Sequence, residues 1–109
     1  MTTTWTIEKL VCKPSENGLN NVVYQVHWKY TKSTTVGDET YSKYNNGILM
    51  IPSPDPQSFT SYESLTKTQV VGWIETTLGQ EYITDMDTRV TNALTDQTTQ
   101  VILELPFEN

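Results

Sequence analysis

Residues 22 to 31 alternate without interruption: Val22, Tyr24, Val26, Trp28 and Tyr30 fall on one parity, and Val23, Gln25, His27, Lys29 and Thr31 on the other. Neighbouring strand side chains point to opposite faces, so this stretch is a strand with one apolar face to bury and one face left largely to water. An antiparallel sheet covered on a single side satisfies that pattern. The remaining sequence must then provide partner strands and a cover.

Two further β-prone stretches flank it. Residues 5–11 form a short run opening on Trp5 and closed by Lys13-Pro14-Ser15-Glu16-Asn17-Gly18, a cluster of turn formers. After a polar turn over residues 33–38, a third stretch covers residues 39–51, with Tyr41, Tyr44, Ile48 and Met50 available for packing. Its centre, Asn45-Asn46-Gly47, has two readings: a hairpin turn that splits the stretch in two, or a bulge or close approach within one long strand, which is favoured. Pro52, Pro54 and Pro56 end the β region, because proline removes ladder donors and restricts the residue before it.

Beyond the prolines the apolar period changes from two to 3.6. Thr66 and Gln69 have the spacing of a capping box, with Leu65 and Val70 placed to form a hydrophobic staple. The helix after this box carries Val70, Val71, Ile74 and Leu78 on one stripe with Trp73 at its margin, and Gly79 falls where a left-handed residue ends a helix. A second helix starts at Gln80, with Ile83, Met86, Val90 and either Ala93 or Leu94 recurring at three and four. The expected fold is α+β: an antiparallel β-meander of three to four strands with a C-terminal two-helix hairpin packed on one face. The chain of 109 residues has the length of one domain. It divides into a meander over 5–51, a Pro-rich loop over 52–65, a helical hairpin over 66–95, and an extended tail or short strand over 100–109. The expected core is Trp5, Val22, Tyr24, Val26, Trp28, Val70, Trp73, Ile74, Leu78, Ile83, Met86 and Val90.

Composition narrows the function classes. Hydrophobic residues at 36% exclude a disordered chain, and abundant threonine suits solvent-facing strand positions. Thirteen acidic against seven basic residues give a net charge of −6, which repels a phosphate backbone, so no nucleic-acid partner is expected. No stretch approaches the roughly 18 apolar residues of a membrane span, and the first residues lack the flank and apolar run of a secretory signal. One cysteine, Cys12, excludes an internal disulfide and reads as packing within a strand.

Catalytic chemistry has little to work with. One histidine and one cysteine fall short of the three or four ligands of a zinc site. His27 sits on the wet parity of its strand, and Asp85 and Asp87, two apart on a helix, point in different directions and read as surface acids. The five glycines are isolated, with no phosphate cradle among them. Tyr24, Trp28 and Tyr30 imitate a base-stacking platform, but without basic neighbours they read as core. No enzyme activity, cofactor, metal or small-molecule substrate is expected.

Residues 54–66, running Pro-Asp-Pro-Gln-Ser-Phe-Thr-Ser-Tyr-Glu-Ser-Leu-Thr, continue through Val70-Val71-Gly72-Trp73-Ile74 to Leu78-Gly79. With Trp5-Thr6-Ile7 and Val26-His27-Trp28 upstream, this order and spacing resembles a family of small uncharacterised proteins encoded by tailed bacteriophages, frequent in cyanophages. The likeness covers roughly residues 4 to 94. Residues 38–47 are hard to align, and the tail has Leu105-Pro106-Phe107 where that family tends toward Leu-Pro-Trp. The resemblance implies a virion structural or accessory protein, such as a capsid decoration or cement protein or a small tail or neck component, made in the bacterial host cytoplasm. Its partners would be phage structural proteins, the major capsid protein or tail and neck proteins, or further copies of itself. The alternative is a soluble phage protein outside the virion that binds and redirects a host factor.

The tail holds Val101, Leu103, Leu105 and Phe107 on one parity and is the expected assembly contact. It either folds back as a fourth strand or adds to a neighbour's sheet; folding back is favoured because so many aliphatic side chains make a free chain sticky. A first prediction comes from the capping box: Thr66→Ala lowers stability by about 1 kcal/mol. A denaturant titration showing an unshifted midpoint would place the start of the helix elsewhere.

Overall fold

The computed structural model describes residues 1–108, and Asn109, the last position of the expected tail, lies outside them. Three antiparallel strands form one sheet in sequence order: β1 (Thr2–Glu16), β2 (Leu19–Val36) and β3 (Glu39–Met50). A 3-10 turn at Tyr62–Ser64 interrupts the Pro-rich loop, and two helices come after it, α1 (Lys67–Leu78) and α2 (Gln80–Thr99). The expected α+β meander with two helices is the fold observed, with three strands.

The strands are longer than the alternation suggests, because both connections are two-residue hairpins. Asn17 and Gly18 have φ of 52° and 82°, the two positive values that a type I′ turn requires and that Asn-Gly supplies at little cost. Gly37 takes φ 63° at the second turn. With so little chain spent on reversal, residues 13–16 and 33–36, expected in turns, continue the ladder instead. Asn45-Asn46-Gly47 is neither a hairpin nor a bulge, since β3 pairs with β2 in unbroken register from Glu39 to Met50. Gly47 marks a close approach. A Cβ at this position would stand 2.8 Å from Cζ2 of Trp28.

Real irregularities lie between β1 and β2, where the register shifts between Ile7 and Lys9 and again between Val11 and Cys12. The first inserts Glu8 into β1, and the second leaves Tyr24 of β2 without an opposite residue. Each extra residue reverses the parity of the residues beyond it. Val23 joins the buried cluster with Val26, Trp28 and Tyr30, whereas Tyr24, expected in the core, is half-buried outside it with the Lys13 ammonium 5.7 Å above its ring. Val22 is buried as expected but lies apart from the cluster.

Val70 and Ile74 of α1 and Met86 and Val90 of α2 complete the cluster, and Trp5, Trp73 and Leu78 pack around it half-buried. Leu94 is the buried choice of the pair Ala93 and Leu94. Ile83 is a correction: it is only half-buried and outside the cluster. Trp5 meets Trp28 and Tyr30 edge-on, with centroids 5.7 and 4.9 Å apart, the geometry in which a ring's positive edge meets a negative face.

Thr66 caps α1 as expected: its hydroxyl accepts from the Gln69 amide at 3.2 Å, and Gln69 Oε1 accepts from the Thr66 amide at 3.1 Å. Gly79, φ 85°, is the whole connection between the helices. Its N–H donates to Glu75 and its carbonyl accepts from Ile83, so it closes one helix and opens the next. The radius of gyration is 19.3 Å and the long axis 68 Å, against about 13 Å for the radius of a compact chain of this length. This is an elongated molecule.

Gly47→Ala is therefore expected to cost about 1 to 3 kcal/mol, as overpacking usually does, because the indole it meets is itself held by Trp5, which Tyr30 meets in turn. Chemical denaturation checks this, and an alanine variant as stable as the parent would show that Trp28 has room to retreat.

Candidate functional site

Two places on this scaffold combine chemistry with position: a polar cluster between sheet and helix, and an apolar surface outside them. The first is not legible in the sequence. Tyr30 donates its hydroxyl to the Asp87 carboxylate, Lys32 Nζ lies 2.7 Å from the same carboxylate, and Lys32 also donates to Thr91 Oγ1 at 3.1 Å. Asp87 is thus no surface acid. Asp85 is one, exposed and 3.7 Å from Arg89, a separation at which an ion pair contributes little. Hydrogen bonds from Lys32 first and Tyr30 second hold the Asp87 carboxyl below the usual carboxylate range. Burial first, then the bond to Asp87, pushes the Tyr30 phenol up to about 12.

That cluster ties α2 to the sheet, with Tyr30 and Lys32 both engaging Oδ1 of Asp87. Cys12 packs half-buried against the core, and burial raises its thiol pKa, which disfavours the thiolate. His27 donates from Nε2 to Gln25 Oε1 at 2.8 Å on the sheet face away from the helices. Among the described residues no three His, Cys, Asp or Glu side chains come together, and no helix is long and apolar enough to cross a membrane.

The second place is the surface the helices leave uncovered. Both outer strands are unpaired along one side, because the order is β1-β2-β3 with no closure. On β3, Tyr44, Ile48 and Met50 are each 58% exposed on the face shared with His27 and Lys29. Lys29 stands 4.1 Å over the Tyr44 ring, which leaves one side of that ring engaged. A cavity of about 270 Å³ opens at the far end of β2, lined by Val22, Ile51, Pro52, Phe59 and Trp73 among others.

The expected assembly contacts behave unlike the rest of the apolar residues. Val101, Leu103, Leu105 and Phe107 are 60 to 78% exposed, and Ile102 is 89% exposed. Residues 101–108 form no strand and bend at Pro106 and Phe107, so the favoured folding back onto the sheet does not occur and the segment is a solvent-exposed tail. None of the four candidate contacts belongs to the core cluster or packs against it.

A family model described as Domain of unknown function (DUF7936) matches residues 1–105. No curated protein and no solved structure matches the chain.

The polar cluster generates a pH prediction. Asp87 titrates lower in the folded protein than its ordinary value of 3.8, so its contribution is complete above that pH and is lost as pH falls through the folded value. Tyr30 titrates higher than its ordinary 10.0, so its contribution is complete below pH 10 and disappears as pH rises toward about 12. Melting temperature against pH should have a shallower acid slope in Asp87→Asn and a shallower alkaline slope in Tyr30→Phe, with Glu16, also held low, and Tyr41, also raised, accounting for part of what is left. Unchanged slopes in both variants would assign the titration to other groups.

Proposed function

We propose that this chain, which belongs to that family, is a non-catalytic assembly module that joins protein neighbours through the solvent-exposed segment after α2. One observation carries the proposal: five aliphatic or aromatic side chains in seven residues, from Val101 to Phe107, stand exposed beyond a domain that already has its own core. Exposed apolar runs of this kind are sticky and mark interaction sites when they persist. A buried partner surface accounts for them.

The chemistry of the fold supports the same direction. The polar cluster serves to tie α2 to the sheet, the lone thiol is packed, and the net charge of −6 keeps a sticky chain soluble. The resemblance to small tailed-phage proteins supplies the setting: a virion component, in the class of capsid decoration, cement, tail or neck proteins, contacting phage structural proteins or copies of itself. Mass spectrometry of purified particles tests the setting, with many copies per particle expected; a protein abundant in infected lysate and missing from particles would instead be a binder of host factors.

The tail itself is tested by Leu103→Ser with Leu105→Ser. Both side chains are already in water, at 78% and 60% exposure, so stability of the isolated domain should stay within about 0.5 kcal/mol. Incorporation into assemblies should fail. A marked loss of melting temperature in the double variant would mean that the tail is part of the domain's own core.

A further inference from the structure

The tail needs a surface to dock on, and the free side of β3 has the geometry to receive it. The amide of Ile51 donates to the Tyr24 carbonyl at 2.9 Å, which makes that pair hydrogen-bonded. Hydrogen-bonded and non-bonded pairs alternate along an antiparallel ladder. Counted from Ile51 toward the start of β3, Leu49, Gly47 and Asn45 bond to β2, while Tyr44, Asn46, Ile48 and Met50 direct their N–H and C=O groups outward. These outward groups belong to the same residues whose side chains make the exposed apolar row. Backbone donors and apolar side chains therefore recur together, every second residue.

The tail repeats that period. Val101, Leu103, Leu105 and Phe107 share one parity, and residues 101–108, once straightened at the Pro106-Phe107 bend into strand spacing, would cover about 26 Å of an edge strand. Laid along β3 with this parity over Tyr44, Ile48 and Met50, the tail points Ile102 and Glu104 to the other face. Lys43, Arg89, Val90 and Ala93 line a hollow on that side, so an aliphatic and a carboxylate meet aliphatics and two cations. Opposite charges at this contact offset part of the repulsion between two chains that each carry −6.

The tail does not serve its own β3. Asp87 lies beside Tyr30 and Thr91 beside Lys32, so α2 runs toward the Gly37-Asp38 turn, and residues 92–99 extend it about 12 Å further. Gln100 leaves the helix extended, at φ −68° and ψ 149°. The side chains beyond it stay in water. Donor and acceptor are thus both present and both unsatisfied on one chain, which a second copy resolves.

We infer that the tail of one copy adds as a strand to the free edge of β3 in a second copy, its Val101, Leu103, Leu105 and Phe107 side covering Tyr44, Ile48 and Met50. This rests on the assembly reading and names the partner for it. The 109-residue chain is studied by sedimentation across a concentration series, with amide hydrogen exchange at both ends of the series. Self-association is expected, with the amides of Asn46 and Ile48 slow only in the associated sample. Asn46→Pro, which removes an outward donor and no bond to β2, should weaken association at least about tenfold with the melting temperature preserved. Should that variant fold poorly, Ile48→Lys at a 58% exposed position serves the same purpose. Glu104→Lys should weaken association, and Lys43→Glu should recover part of the loss.

Slow Asn46 and Ile48 amides in a dilute monomer would mean that the tail pairs within its own chain and would overturn the inference. Association indifferent to Asn46→Pro and Ile48→Lys would put the acceptor elsewhere. A chain that stays monomeric at every concentration, yet loses particle incorporation with Leu103→Ser and Leu105→Ser, would sink the second copy as partner while leaving the assembly reading standing.

Discussion

The Trp28 indole is the contact on which the other packing in this fold depends. It is 2% exposed, Trp5 meets it edge-on from β1, and β3 passes so close that only a glycine fits at residue 47. Three strands are thus positioned by one side chain. Val70 and Ile74 of α1 and Met86 and Val90 of α2 then close over the same cluster. Truncating a buried aromatic of this size leaves a void that neighbours fill only in part, and here the void opens inside a cluster to which the strands and both helices contribute.

Such a core explains why the molecule is long. Buried residues concentrate around Val23 to Tyr30 of β2, and both hairpins project beyond them. The ladder continues through Thr34 and Thr35, where Thr35 and Thr40 face each other with hydroxyls 3.2 Å apart. Threonine suits such wet pleats because its branched side chain lies along the strand while the hydroxyl stays hydrated. The second arm is underlaid by α2, with Thr91 beside Lys32 and Leu94 buried, while its tip is held by its own ladder and turn.

Periodicity makes the element order and most of the core legible in sequence, and the Thr66–Gln69 box locates the start of α1 to the residue. Periodicity also misleads at Tyr24, because it is itself the extra residue of a β2 irregularity opposite Val11 and Cys12, which leaves no mark in composition. The Asn17-Gly18 turn is hidden inside a longer polar cluster, so sequence alone ends the strands too early. Tyr30, Lys32 and Asp87 come together across 57 residues of sequence, and nothing local to Asp87 distinguishes it from Asp85. The tail defeats sequence reasoning for a different reason: its hydrophobicity argues for burial somewhere, and its own domain does not provide that burial.

Gly79 sets a limit on how this chain can vary in length. A single left-handed residue is the entire joint, with its N–H and carbonyl both committed to the helices on either side. One inserted residue would rotate α2 by about 100° about its own axis. Met86, Val90 and Leu94 would leave the sheet, and Asp87 would swing away from Tyr30 and Lys32. Relatives that gain or lose residues are therefore expected to do so in the Pro-rich loop or the hairpin tips, with the spacing from Val70 to Leu94 held constant as a ruler.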